Sequence, residues 1–139
     1  MKVLVSACIT GHNCKYNGGN NFNPNVIEFL RGKEIIEICP EILAGMNIPR
    51  ASAEIVGEYV TECNGKNVHK DYEKGVELAL EKIKYENIDL VILQSRSPTC
   101  GVNHIYDGSF NGIKKKGQGI FAKALINNGY KVIDSEDVK

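Results

Sequence analysis

Apolar residues are grouped in short dense runs, and polar glycine-rich stretches and segments of helical period lie between them. The run Val3, Leu4, Val5 within Lys2 to Ala7 has the density of a strand buried on both faces. Gly11 to Asn21 follows as a polar loop with no period of either kind. Asn23-Pro24 then reads as an N-cap with proline in the first helical position, which starts a helix through about Leu30 that Gly32 closes. Ile35, Ile36 and Ile38 within Glu34 to Cys39 predict a second buried strand, ended by Pro40. Ala53 to Val68, with the turn pair Asn64-Gly65, predicts a small hairpin. Tyr72, Val76, Ala79, Leu80 and Ile83 share one face of a helix expected from Lys70 to Tyr85. Asp89 to Leu93 is a third buried strand, and Gln94 to Lys116 reads as one long loop. Gly119 to Asn128 repeats the amphipathic pattern and stops at Gly129, ahead of a last short strand, Lys131 to Ile133.

Strands that alternate with helices predict an α/β fold: one small three-layer, Rossmann-like domain over residues 1–139. Its sheet is mostly parallel, helices cover both faces, and a short β-hairpin is inserted. Ligands of such sheets collect beyond the carboxyl ends of the strands.

Charge narrows the function. Seventeen Lys and Arg balance 17 Asp and Glu. That argues against a protein that holds nucleic acid or an anionic membrane surface by charge. No apolar run reaches the length of a membrane span, and Thr10, His12 and Asn13 cut short the apolar start that would make a signal peptide, so a cytoplasmic location is expected. The glycines of the first loop lack phosphate-loop spacing, which excludes nucleoside triphosphate binding. Lys114-Lys115-Lys116 reads as a solvated basic run.

The chain has 5 cysteines, an odd number that cannot all pair, in a compartment that keeps thiols reduced. They are buried structural thiols, reactive thiols or metal ligands. Cys8 and Cys39 fall at the carboxyl ends of the first two predicted strands, and Cys100 in the loop that leaves the third. In a parallel sheet those ends share one edge, where the three thiols can converge. Three thiolates without a fourth ligand suit an iron–sulfur cluster with one open iron. Closed tetrahedral zinc would need Cys14 or His12 as well. A cofactor-free thiol enzyme using Cys100 or Cys14 is a further alternative, as is a non-catalytic metal module. Cys63, beside the Asn64-Gly65 turn, reads as a small buried apolar residue.

Several motifs bear on the choice. They are Ser6-Ala7-Cys8, Gly11-x-x-Cys14-Lys15-Tyr16-Asn17-Gly18, Cys39-Pro40-Glu41, Gly45, Pro49-Arg50, Ala53-Glu54, Ser97-Pro98-Thr99-Cys100-Gly101, Gly117-x-Gly119, Gly129 and Ser135-Glu136. In this order, from Val3 to about Asp137, the chain resembles the thiouracil desulfidase family (domain of unknown function 523). The resemblance implies a small α/β domain with a [4Fe-4S] cluster on Cys8, Cys39 and Cys100, whose open iron accepts the sulfur of a thiolated heterocycle and later releases it as sulfide. It places the acid/base carboxylate on Glu41 and the site serine on Ser97, with Cys14 as a second thiol or alternative ligand. Two positions depart from the family pattern. Gln94 stands where a lysine is usual and Asn17 where an aspartate is frequent, and loss of the ammonium bears on the substrate more than on the cluster. Arg50 and Arg96, each next to a motif, are candidate forks for a substrate oxyanion. His104, with Tyr106, is a candidate to bind a pyrimidine.

Overall fold

The structure is a computed structural model that describes residues 1–139. Four parallel strands form its sheet: β1 (Lys2–Ser6), β2 (Glu34–Ile38), β5 (Leu90–Leu93) and β8 (Val132–Asp134), in the order β2-β1-β5-β8. The small hairpin β3 (Ala53–Val56) and β4 (Tyr59–Glu62) stands apart from it, as does a second antiparallel pair, β6 (His104–Tyr106) and β7 (Lys114–Lys116).

Side chains on a strand alternate between faces, and this builds the two core layers. Val3 and Val5 of β1 join Leu90 and Ile92 of β5 on one face, packed against Val26 and Leu30 of α1 (Pro24–Leu30) and against Val138. Leu4, Val91 and Leu93 face the other way, toward Val76, Ala79 and Ile83 of α3 (His69–Ile83) and Phe121, Ala122 and Leu125 of α4 (Ile120–Asn127). Helices therefore cover both faces. The chain leaves β1 toward β2 on one side, then crosses to β5 on the other. The point where strand order reverses lies between β1 and β5, where open α/β sheets make their crevice.

Asn23 caps α1 as its sequence predicts, its Oδ1 accepting the N–H groups of Asn25 and Val26 at 3.0 and 3.2 Å. Three expectations need correction. β2 is an edge strand paired only with β1, and Ile35 is exposed, so it is not buried on both faces. The hairpin turns at Gly57-Glu58; Asn64-Gly65 makes a second reversal beyond β4 that brings Asn67 back beside Thr61. The stretch 94–116 is not one loop, since β6 and β7 pair within it and Lys114-Lys115-Lys116 form an exposed strand. A short helix, α2 (Pro40–Leu43), follows β2 directly, with Pro40 in its first turn.

Two glycines bring the layers together at the strand exits. A Cβ on Gly75 of α3 would lie 2.3 Å from the Pro40 carbonyl oxygen, so glycine lets α3 press on the Cys39-Pro40 corner. A Cβ on Gly119, just ahead of α4, would lie 2.4 Å from the Thr99 carbonyl and 2.7 Å from the Cys100 nitrogen. No helix is long and apolar enough to cross a membrane.

Candidate functional site

A cavity of about 630 Å³ opens over the carboxyl ends of β1, β2 and β5. All five cysteines line it. Cys8 enters from the 3-10 turn after β1, Cys39 from the β2–α2 corner, Cys100 from the loop after β5 and Cys14 from the glycine-rich loop. All five are free thiols.

The thiols interact. The Cys14 thiol hydrogen-bonds to both Cys8 and Cys39. This bond, helped by the Asn21 side chain against the cost of burial, lowers Cys8 to about 7. The same Cys14 contact lowers Cys39, with the Ile42 N–H adding to it. Cys14 is correspondingly raised, since it would ionise between two thiolates. Cys100 is raised well above the ordinary value by burial, and its thiol is hydrogen-bonded to Ser6. Ionisation is thus disfavoured at Cys14 and Cys100 and favoured at Cys8 and Cys39.

Glu41, two residues beyond Cys39, is held from several directions. Arg50 donates to its Oε1 from Nε at 3.1 Å and Nη2 at 2.9 Å, and the Thr99 hydroxyl donates to Oε2 at 3.2 Å. Burial, then the neighbouring Glu41 carboxylate, push the Tyr72 phenol above its ordinary range. Arg50 also donates to the Cys14 carbonyl at 2.9 Å and the Asn47 carbonyl at 3.2 Å. Thr99 stands inside the Ser97-Pro98-Thr99-Cys100-Gly101 motif, where its residue type points to no role, and Tyr72 lies outside every motif. They are site residues by virtue of the fold.

The sequence model of the 2-thiouracil desulfurase family matches residues 3–137. The chain belongs to the 2-thiouracil desulfurase family. It is 34% identical over 146 residues to the uncharacterised protein YbbK of Bacillus subtilis (strain 168), a match that covers 98% of this chain and 97% of YbbK. It is also similar to the solved structure of a [4Fe-4S]-dependent thiouracil desulfidase, TudS, at 32% identity and a TM-score of 0.90, over 99% of this chain and 92% of that one. Family and fold thus agree with the motifs read along the sequence.

In this member of the 2-thiouracil desulfurase family, the cavity brings together most of the residues singled out from the sequence: Cys8, Cys39, Cys100, Cys14, Glu41, Ser97, Arg50 and Arg96. Ser97 uses its hydroxyl oxygen to accept the N–H groups of Thr99 and Cys100, both at 2.9 Å, so it fixes the turn that carries Cys100. Arg50 is committed to Glu41 and two carbonyls rather than free for a substrate oxyanion. Arg96 sits at the margin, its Nη2 paired with Glu136 at 3.0 Å. His104 does not line this cavity; it lines a separate polar pocket of about 200 Å³ with Asn103 and Asp134, while Tyr106 faces the main one. His12 pairs with Glu37 at 2.7 Å and is outside the cavity. Asn17 is spent on a turn, accepting the Gly19 N–H at 2.9 Å, whereas Gln94 lines the cavity. Cys63 is exposed at the rim and not buried as its sequence context suggests.

No three His, Cys, Asp or Glu side chains stand close enough together to hold a single metal ion. A closed zinc site, which needs four donors around one point, does not fit this arrangement. Three thiols that enter one cavity from separate strand exits suit a wider polynuclear group, and soft sulfur donors select iron–sulfur chemistry.

Proposed function

We propose that this protein is a [4Fe-4S]-dependent desulfidase that converts 2-thiouracil, or a closely related thiolated heterocycle, and water to the oxo compound and sulfide. The observation that carries the reading is the arrival of Cys8, Cys39 and Cys100, from three separate strand exits, in one cavity with Glu41. The similarity to TudS supports it. Cys8, Cys39 and Cys100 are the cluster ligands, and Cys14 is the neighbouring thiol that orients two of them.

When bound, the cluster supplies a soft Lewis-acid iron with an open position for the sulfur of a thiocarbonyl. The chain supplies the rest. The cavity volume falls in the range of small-molecule sites. Arg50 holds Glu41 through Oε1. Oε2, bonded to the Thr99 hydroxyl, is then the atom that takes a proton from the water adding to the ring carbon and returns it to the departing sulfur. The net reaction exchanges C=S for C=O with no change in electron count. Ser97 acts through Cys100, whose backbone it anchors. Five free thiols fit the reducing cytoplasm.

Anaerobic iron–sulfur reconstitution followed by incubation with 2-thiouracil tests this. The expected result is a brown protein that forms uracil and sulfide in equal amounts. A protein that stays colourless and iron-free, or a loaded one that releases no sulfide from thiolated pyrimidines, overturns it. A second reading, a cofactor-free thiol enzyme, is favoured only by the lowered Cys8 and Cys39 thiols. It requires full activity in iron-free protein and its loss in Cys8→Ser.

A further inference from the structure

Glu54 takes no part in the chemistry above, yet its Oε1 is engaged with a distant stretch of chain. It accepts the N–H of Gly108 at 3.0 Å and that of Phe110 at 3.2 Å. Both donors lie in the 107–113 loop that joins β6 to β7. That loop is laid directly on β3: Gly108 has φ +91°, and a Cβ there would stand 2.6 Å from the Ile55 carbonyl oxygen. Phe110 has φ 59°, the left-handed region that a bulky side chain rarely occupies. Strain of this kind persists where surrounding contacts enforce it, and it collects at ligand sites. Here the enforcing contact is the Glu54 carboxylate, and the result is that Phe110 lines the cavity of Cys8 and Glu41.

The other aromatic rings lining the cavity are Tyr16, Tyr72 and Tyr106. Tyr72 is buried, 4% exposed, and so offers little ring face to a ligand. Phe110 is the one ring there without a polar atom, in a cavity it shares with the thiols and the Glu41 carboxylate. We propose that the 107–113 loop is a pinned strap that presents Phe110 as the stacking face for a planar heteroaromatic ring, with Glu54 as the positioning residue that holds it. The assignment rests on the proposed function and narrows its substrate class to flat rings with a π-face. An aromatic side chain stacks on any base and contributes affinity without hydrogen-bond readout.

Uracil separates stacking from sulfur chemistry, because it has the ring and no thiocarbonyl. Its affinity for the cluster-loaded protein is measured by calorimetry, alongside kcat and KM for 2-thiouracil. Phe110→Ala should bind uracil roughly tenfold more weakly, with KM raised and kcat held within about threefold. Phe110→Tyr should restore affinity. Glu54→Ala should show the same KM-weighted loss, Glu54→Gln should recover much of it through its amide oxygen, and the double variant Glu54→Ala/Phe110→Ala should be no worse than Phe110→Ala. If Phe110→Ala does not fold, Phe110→Leu keeps the apolar bulk without the ring face and must show the loss. Wild-type affinity in the alanine or leucine variant, or losses from Glu54 and Phe110 that multiply, overturns the assignment. Wild-type protein that releases no sulfide from 2-thiouracil instead fails the functional reading, so the two failures are distinct.

Discussion

Arg50 places two N–H groups on a single oxygen of Glu41, at 3.1 and 2.9 Å, and the nearer nitrogen also donates to the Cys14 carbonyl at 2.9 Å. One guanidinium thus ties the site carboxylate to the loop that carries Cys14. The side chains are only 9% and 17% exposed, which places the pair among buried ion pairs rather than surface ones. Its role is to keep Glu41 aimed.

Removing Arg50 strands that carboxylate. Arg50→Ala should therefore lose roughly 3 kcal/mol of stability, read by urea denaturation, together with most of the activity. Arg50→Lys should fall between, since it keeps the charge and loses the fork. Glu41→Gln should abolish turnover with a smaller stability loss. A cost below about 1 kcal/mol for Arg50→Ala would place the pair in effective contact with water.

The thiol network predicts a pH profile for the cluster-free protein. Because the Cys14 hydrogen bond favours the thiolate of Cys8, alkylation of Cys8 by iodoacetamide should rise as pH passes through about 7. Cys14→Ala removes that bond, so the midpoint should move up toward the ordinary thiol value, and Cys14→Ser should retain part of the shift. Mass spectrometry of the modified peptide gives the midpoint directly. No upward movement in Cys14→Ala would mean that Cys14 does not set the Cys8 thiol.

Gly75 and Gly119 are packing requirements at the site. An alanine methyl at either position meets backbone at 2.3 or 2.4 Å, and backbone cannot swing aside as a side-chain end can. Gly119→Ala should destabilise the fold by roughly 1–3 kcal/mol and reduce iron retention, because its neighbour is Cys100. Gly75→Ala should act likewise through the Cys39-Pro40 corner. Thermal melts and iron analysis of the reconstituted variants decide the matter.

Ser97 accepts two N–H groups at the turn before Cys100. Ser97→Ala leaves both without that partner and should cost roughly 1–2 kcal/mol, with faster loss of iron. Ser97→Thr keeps the hydroxyl and should rescue both properties. A direct attack by the hydroxyl would instead show as lost turnover at unchanged iron content.

Much of the fold is legible in the residues. The runs at Val3–Val5 and Leu90–Leu93 are dense because both strands are covered on two faces, and the caps at Asn23 and Gly129 are local chemistry. β2 misleads because three isoleucines look alike in a central or an edge strand. The exposure of Ile35 is decided by which partner is missing. The strands at His104–Tyr106 and Lys114–Lys116 carry too few apolar residues to announce a pairing that depends on a loop pinned elsewhere by Glu54. At the site, Cys8, Cys39 and Cys100 could be read because strand exits of a parallel sheet share one edge. Thr99 and Tyr72 could not, since their partner Glu41 is brought to them only by the approach of α2 and α3. His104 lies on the far side of the Ser95-Arg96 stretch from the cavity, a separation that nearness to Cys100 in sequence conceals.

Iron and acid-labile sulfide per chain, measured after anaerobic reconstitution of each single cysteine-to-alanine variant, bears most directly on the cluster assignment. Cys8→Ala, Cys39→Ala and Cys100→Ala should each fall to a small fraction of the wild-type content, whereas Cys14→Ala and Cys63→Ala should stay close to it. Equal iron in all five variants, or a loss confined to Cys14→Ala and Cys63→Ala, would contradict the placement of the cluster on the three strand exits.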